Sequence, residues 1–393
     1  METKVISTIK GHARVDVADV LRGLAVMGII ILHSIEHFNF YSFPDTTTQS
    51  DWLNFTDKAI WNGLFFMFGG KAYAVFALLF GFSFFIQNDN QRMRGNDFRL
   101  RFCWRLILLF LIGNINASFF TAELLVLYSL VGFILPLTCR LKDKWVFLLA
   151  CVLLIQPLPL YYVIRACLDP SFITPAIPTR SFWDATFAVQ SHGSFLETVR
   201  VNLWEGQIAS LAWAWDHGRV FQTAALFLLG MLIGRRGLFQ KENLKVWNKI
   251  LAGALIAFFP LYGLGNMLPA FIVNKSILTP LSLIITSLSN FSFMLVLVSG
   301  VIFAFYNTNM HYLLMKITPY GKMSLTNYIT QSIVGSMLYY NWGFALHNQC
   351  GITVSCLAGI AFFILQFTFC RWWMSHHSHG PMEYIWKRAT WLK

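Results

Sequence analysis

Residues 19–37 read DVLRGLAVMGIIILHSIEH, and this stretch decides how the chain folds. It is apolar through its middle, with Arg22 near one end and His33, Glu36 and His37 near the other. An α-helix turns about 100° per residue, so eleven steps bring Arg22 and His33 onto one face, about 16 Å apart. His37 falls one turn beyond His33. A polar stripe on so apolar a helix is costly against lipid, so we expect it to face protein or a water-filled cavity.

The composition predicts a membrane protein built from helices. Apolar residues make up 56% of the chain and charged residues only 12%, against about 25% charged in soluble domains. Several apolar runs reach the roughly 20 residues that a bilayer requires. The net charge of +12 lies mainly in short loops between these runs. It therefore favours contact with the lipid bilayer, with no nucleic acid as a partner.

We predict an all-α, polytopic transmembrane bundle of about ten helices with both termini in the cytoplasm. Loops rich in Lys and Arg alternate with loops that are not, and this pattern sets the orientation. An N-terminal half (1–165) and a C-terminal half (218–393) flank an extracytoplasmic loop with interfacial helices (166–217). The expected location is the bacterial inner membrane, crossed many times. The predicted helices cover roughly 17–37, 60–86, 103–119, 122–138, 145–165, 219–234, 247–268, 279–305, 322–341 and 352–374.

His33 is the first candidate for proton transfer. An imidazole titrates near neutral pH, and a carboxylate such as Glu36 or Glu123 could orient its ring. His37 lies on the same stripe. The alternative is a histidine that is hydrogen-bonded within a helix interface and has no chemical role. Lys71, which follows a Gly-Gly pair, could stabilise an oxyanion, or it could simply pair with a glutamate inside the membrane.

Further candidates for substrate binding are Arg22, Asp19, Asn327 and Gln331. Arg22 could hold a phosphate, or it could form only a local ion pair with Asp19, one turn away. Asn327 and Gln331 share one helix face and could bond a substrate, or they could link neighbouring helices. We expect no metal, because the histidine run His376–His379 lacks a fourth ligand and a fixed scaffold.

Several motifs resemble the YeiB-like family of bacterial inner-membrane proteins, whose C-terminal half is a domain of unknown function. The resemblance covers essentially the whole chain, and it implies a bundle of about ten helices with little information on function. The motifs that carry it are 15–23 (VDVADVLRG), 77–81 (ALLFG), 321–328 (GKMSLTNY), 331–332 (QS) and 380–387 (GPMEYIWK).

The first helix is also similar to that of membrane acyltransferases that modify extracytoplasmic sugars, where an arginine, ten residues and a histidine form the signature. YeiB-like proteins are in turn similar to the lysosomal heparan acetyltransferase. These resemblances imply an acyl-CoA donor, acetyl-CoA first, with Arg22, Arg99 and Arg101 holding its phosphates. The acceptor would be a small molecule or a glycan, with His33 as general base. A small-solute transporter and a non-catalytic protein of the same fold remain alternative functions. A homodimer is a candidate assembly.

Overall fold

The structure is a computed structural model that describes residues 15–175, 177–347 and 349–391. The predicted basic N-terminal segment, residues 1–14, lies outside this range. The described residues form helices, turns and loops without a β-strand. The α-helices are α1 (Asp16–Ile35), α2 (Asp51–Phe68), α3 (Ala72–Met93), α4 (Arg99–Ala117), α5 (Leu124–Val131), α6 (Ile134–Thr138), α7 (Asp143–Leu154), α8 (Pro157–Leu168), α9 (Thr179–His192), α10 (Phe195–Val201), α11 (Gln207–Asp216), α12 (Arg219–Arg235), α13 (Leu244–Phe271), α14 (Lys275–Asn307), α15 (His311–Met315), α16 (Thr318–Lys322), α17 (Ser324–Tyr339), α18 (Ile352–His376) and α19 (Pro381–Trp391).

Six helical segments in the described part of the chain are long and apolar enough to cross a membrane. They are Asp16–Ile35, Asp51–Met93, Arg99–Ala117, Lys241–Phe271, Lys275–Asn307 and Ile352–His376. Two pairs of helices pass the same test only together, and they are bent by 51° (α7 with α8) and 71° (α10 and α11 with α12). The structure therefore holds six to eight candidate spans, which indicates a membrane protein.

Several predicted helices are interrupted where the backbone has a local reason to turn. The helix expected over 60–86 begins earlier, at Asp51, where Ser50 Oγ accepts a hydrogen bond from the Leu53 amide. It breaks between α2 and α3, where Gly70 has φ +72°. The segment expected over 145–165 is split at Gln156, with φ +61°, followed by a proline. The segment expected over 122–138 is split into α5 and α6.

The central element is α1, and it is buried on every side rather than along one stripe. It packs against α3, α16 and α18, and this explains why its sequence is apolar almost all round. Glycines allow close approach: a Cβ on Gly321 would collide with the Asp19 carbonyl of α1. Gly81 and Gly230 do the same for α3 and α12, because a Cβ on either would meet the backbone of the other helix.

The segment 166–217, expected to be a loop with one or two interfacial helices, contains α9, α10 and α11, with a π-helical turn at Asn202–Gly206. Its helices reach residues of the bundle core. Gln190 donates to Thr121 Oγ and to Asn202 Oδ1, and Asn202 donates to the Ser118 carbonyl. The segment is therefore fastened over the end of the bundle where α4 meets α5.

Candidate functional site

The C-terminal end of α1 opens into a cavity of about 530 Å³, here called the His33 cavity. This volume is in the range of small-molecule sites. Four predicted site residues line it: His33, Glu36, His37 and Glu123. Its other walls come from the start of α3 and from the segment 166–217, and they include Tyr41, Gly70, Tyr73, Thr179, Arg180, Trp183, Asp184, Phe187, Trp213, His217 and Arg219.

His33 is buried, with 7% of its surface exposed. Its ring lies 4.8 Å from that of Phe120 and 5.3 Å from that of His37, measured between centroids. Its Nδ1 atom is buried and has no hydrogen-bond partner. The expected carboxylate bond that would orient this nitrogen is therefore not made, although Glu36 and Glu123 line the same cavity.

Glu36 and His37 lie directly after α1 and extend the polar group. Glu36 Oε1 is 3.7 Å from His37 Nε2. The other ring nitrogen of His37, Nδ1, lies 2.9 Å from Tyr41 Oη, and the indole of Trp183 stacks on the imidazole at 6.5 Å. One ligand atom from each of His33, Glu36 and His37 lies within 4.8 Å of the other two. These three side chains are thus positioned to act on one small group.

The side chain of Glu123 caps a helix. It is the N-cap of α5, where its side chain accepts a hydrogen bond from the Leu125 amide. It also accepts a hydrogen bond from Asn116 Nδ2. Only 2% of its surface is exposed. Its carboxylate therefore fixes the cavity wall at the start of α5, while the residue itself lines the cavity.

Lys71 is not among the residues that line the His33 cavity. Its Nζ lies 3.5 Å from the Phe65 carbonyl oxygen and 5.8 Å from the ring centroids of both Phe66 and Phe293. The ammonium is thus held by a carbonyl oxygen and two aromatic faces, rather than by the glutamate that the sequence suggested as an alternative.

Two arginines, Arg180 and Arg219, line the cavity, and Arg219 is the less exposed of them. The sequence pattern did not single out Arg219. Its guanidinium lies 4.3 Å from the Tyr73 ring centroid and 5.4 Å from that of Trp213. It donates a hydrogen bond to Gln222 Oε1. It follows Gly218, which has φ +64°. An arginine that directly follows a His-Gly turn and opens an apolar run was the available signal.

A second cavity, of about 500 Å³, lies at the other end of α1 and is here called the Arg22 cavity. Arg22 pairs with Asp19 at 2.6 Å, as the local reading of the sequence expected, and it also donates to Ser83 Oγ at 2.9 Å. Further basic residues line this cavity: Arg94, Arg105, Lys322, His379 and Lys387. These cations outnumber the one carboxylate that lines the cavity, that of Glu383, so the wall suits an anionic ligand.

Arg99 and Arg101, predicted to bind phosphates, make other contacts and do not line this cavity. Arg99 forms a 2.7 Å ion pair with Asp97, and the hydrogen bonds from Arg99 lower the pKa of that carboxyl to about 2. Arg101 donates to the Thr390 carbonyl at 3.0 Å and lies over the Trp391 ring. Arg105, one turn further along α4, lines the cavity in place of Arg101.

Aromatic residues of α3 and α5 lie where the two cavities follow one another. Tyr73 lines the His33 cavity, and Phe76, one turn further along α3, lines the Arg22 cavity. Tyr128 is fully buried beside them and donates a 2.8 Å hydrogen bond to the Tyr73 carbonyl. Because α3 contributes to both cavities, they follow one another along the same helix.

Asn327 and Gln331 line neither of the two cavities. Asn327 Nδ2 donates to the Tyr320 carbonyl, and its Oδ1 accepts a bond from Cys370 Sγ, so this amide links α16, α17 and α18. This agrees with the alternative reading of a helix-linking amide. Gln331 is buried, with neither its Nε2 nor its Oε1 hydrogen-bonded.

Comparison with known proteins identifies relatives that have no described activity. Residues 233–393 match the family described as "Protein of unknown function (DUF418)". The chain is 26% identical to the uncharacterized protein YxaH of Bacillus subtilis (strain 168), over 97% of this chain and 95% of that protein. It is 23% identical to an uncharacterized 39.9 kDa protein in the amylase 3′ region of Bacillus acidopullulyticus, over 96% and 94%. No solved structure matches the chain. These matches are consistent with the YeiB-like resemblance and carry no evidence of acyl transfer.

Proposed function

We propose that this protein is a multi-pass inner-membrane acyltransferase that moves an acyl group from a cytoplasmic acyl-CoA to an extracytoplasmic hydroxyl or amine, such as that of a glycan. The observation that supports it is the pair of cavities along α1. One is lined by Arg22 and other cations, and the other by His33 and its polar neighbours. The first suits a phosphorylated donor and the second suits proton transfer.

The proposal uses a particular topology. The eight candidate spans become ten if Leu124–Thr138 and Ser324–Tyr339 also cross, both being shorter than a full span. The cations of the Arg22 cavity would then face the cytoplasm, in agreement with the positive-inside rule, and the His33 cavity would face outward. Both chain termini would be cytoplasmic.

Acyl transfer would proceed at the His33 cavity. The acceptor hydroxyl attacks the thioester carbonyl, a C–O bond forms, the C–S bond breaks, and the proton of the hydroxyl passes to His33. The thiolate of CoA then takes that proton. Arg219 replaces Lys71 as the group that stabilises the oxyanion, because it lines this cavity and is less exposed than Arg180, the other arginine there. One such interaction lowers the activation free energy by about 3–4 kcal/mol.

The experiment is acyl transfer in proteoliposomes, with acetyl-CoA on one side and candidate glycan acceptors on the other, followed by mass spectrometry. Loss of a general base lowers the rate by roughly 10²–10⁴-fold, so His33→Gln should remove nearly all product. The matched control is His376→Gln, since His376 is exposed at the end of α18. Equal product from both variants would rule out His33 as the base.

A transporter for a small solute is the second candidate, and one observation favours it. The break between α2 and α3 places Gly70, at φ +72°, beside the side chains of Asn290 and Arg219. Broken helices with polar groups at the break are typical of transporter sites. Solute uptake into liposomes without any acyl donor would support this reading, and stabilisation of the protein by acyl-CoA against heat would support acyl transfer.

A further inference from the structure

We propose that His33, Glu36 and His37 bind one divalent transition-metal ion, with Zn²⁺ as the first candidate. Within the described residues, these three make up the group whose ligand atoms converge, each within 4.8 Å of the other two. Around a tetrahedral Zn²⁺ with bonds of about 2.0–2.1 Å, ligand atoms lie roughly 3.3 Å apart. Small side-chain rotations would therefore close the group on an ion.

The backbone explains why three residues of one short stretch converge. α1 ends at Ile35, and the Phe38 amide bonds to the His33 carbonyl, so the chain continues in a wider turn. Residues 33, 36 and 37 then lie on one side of the helix end. Two imidazoles and one carboxylate are the donor set of open, catalytic metal sites, where water or substrate completes the coordination.

One unmet need in the group points to a cation. The buried Nδ1 atom of His33 has no hydrogen-bond partner, and buried polar atoms in proteins almost always have one. His37 Nε2 and Glu36 Oε1 face each other at 3.7 Å, which is ion-pair range and beyond hydrogen-bond distance. An ion among the three side chains would give His33 Nδ1 its partner and would lie beside this ion pair.

Tyr41 provides the outer support that metal-binding histidines usually have. Its hydroxyl lies 2.9 Å from His37 Nδ1. If Nδ1 donates this bond, the lone pair of Nε2 is free for the ion and the ring is held in place. The surrounding cavity of about 530 Å³ leaves room for a substrate oxygen at an open coordination position.

The inference goes beyond acyl transfer and does not depend on it. A bound ion would change the part played by His33, since the ring would hold the metal. An acceptor oxygen on the metal would have its pKa lowered directly. Metal binding is measured without donor or acceptor, so its failure is distinct from failure of the proposed function.

The test uses the full chain, purified in detergent without a histidine tag, stripped with chelator and titrated with Zn²⁺ and with Co²⁺. We expect one ion per chain and visible Co²⁺ absorption bands that report nitrogen and oxygen ligands. His37→Ala and Glu36→Gln should each abolish saturable binding. Tyr41→Phe should weaken it by about 10–100-fold, as loss of outer support does. The control is the double variant His376→Ala, His377→Ala, which should bind as the native chain does.

Size-exclusion profiles and thermal unfolding establish that each variant is folded. His37 is substituted rather than His33 because about a quarter of the His37 side chain is exposed, whereas His33 is buried. The His37→Ala variant should therefore fold. Stoichiometric binding that survives both His37→Ala and Glu36→Gln overturns the proposal. So does binding that disappears only in the control, since the ion would then sit on the C-terminal histidines, and so does the absence of saturable binding.

Discussion

Replacing Glu383 with alanine should release the C-terminal helix α19 from the bundle. Glu383 Oε1 accepts hydrogen bonds from the Leu325 and Thr326 amides at 2.7 and 3.1 Å, and its Oε2 accepts one from Thr326 Oγ at 2.6 Å. Thr326 Oγ in turn accepts a bond from the Met382 amide. One carboxylate of α19 thus caps the N-terminus of α17, a helix that begins nearly sixty residues earlier.

The magnitude follows from what the substitution leaves behind. Two amides at the start of α17 lose their acceptor, and Leu325 and Thr326 are both buried. An unsatisfied buried group costs about 1–3 kcal/mol, and a hydrogen bond to a charged group contributes about 1.5–3 kcal/mol. Water can reach part of the gap, so we expect the docking of α19 to weaken by about 2–4 kcal/mol. Glu383→Gln should cost about half as much, since its amide oxygen still accepts.

Hydrogen–deuterium exchange with mass spectrometry measures this directly. At about 1.4 kcal/mol per tenfold change, amides of α19 should exchange roughly 30- to 700-fold faster in Glu383→Ala. Amides of α14 should not change. Glu242→Ala is the control, because Glu242 is exposed in the turn before α13. Native exchange rates in α19 of the alanine variant would refute this account of the C-terminal helix.

Two further substitutions test the packing of the bundle, each by thermal unfolding in detergent. Gly230→Ala should destabilise the folded protein by about 1–3 kcal/mol, because its methyl group would meet a backbone carbonyl of α3. The control is Gly253→Ala, where a Cβ meets nothing; it should be neutral or stabilise the protein by up to about 1 kcal/mol. Equal effects of the two would contradict the close crossing. Asp57→Ala should cost about 1–2 kcal/mol, because this carboxylate of α2 caps α18 through the Thr353 amide at 2.8 Å, and an unchanged melting temperature would show that the cap contributes nothing.

The local sequence was enough to predict the limits of those helices that depend on local chemistry. The helix expected over 17–37 is observed at Asp16–Ile35, and that over 352–374 at Ile352–His376. Length and apolar composition decide such helices, because only a helix satisfies its own backbone in an apolar surrounding. The break at Gly69–Gly70, inside the helix expected over 60–86, also has a local cause, because glycine adopts positive φ without strain.

Helices that depend on distant residues were predicted less well. The start of α2 was missed by about nine residues, since its polar first turns resemble a loop. The contacts of the segment 166–217 were not predicted: its buried amides bond to the linker between α4 and α5. Propensity and hydropathy describe one segment at a time, so they carry no information about such partners.

The sequence by itself determined that the chain is helical, that it is suited to a membrane, and that His33, Glu36 and His37 share one end of α1. Those properties depend on composition and on helical periodicity, which are local. Only the tertiary structure decided that Arg219, Trp183 and Tyr41 meet these residues in one cavity, while Lys71 lies outside it. Helical periodicity fixes the direction in which a side chain points around the axis of its own helix. The residue it meets there depends on how helices far apart in the chain pack together.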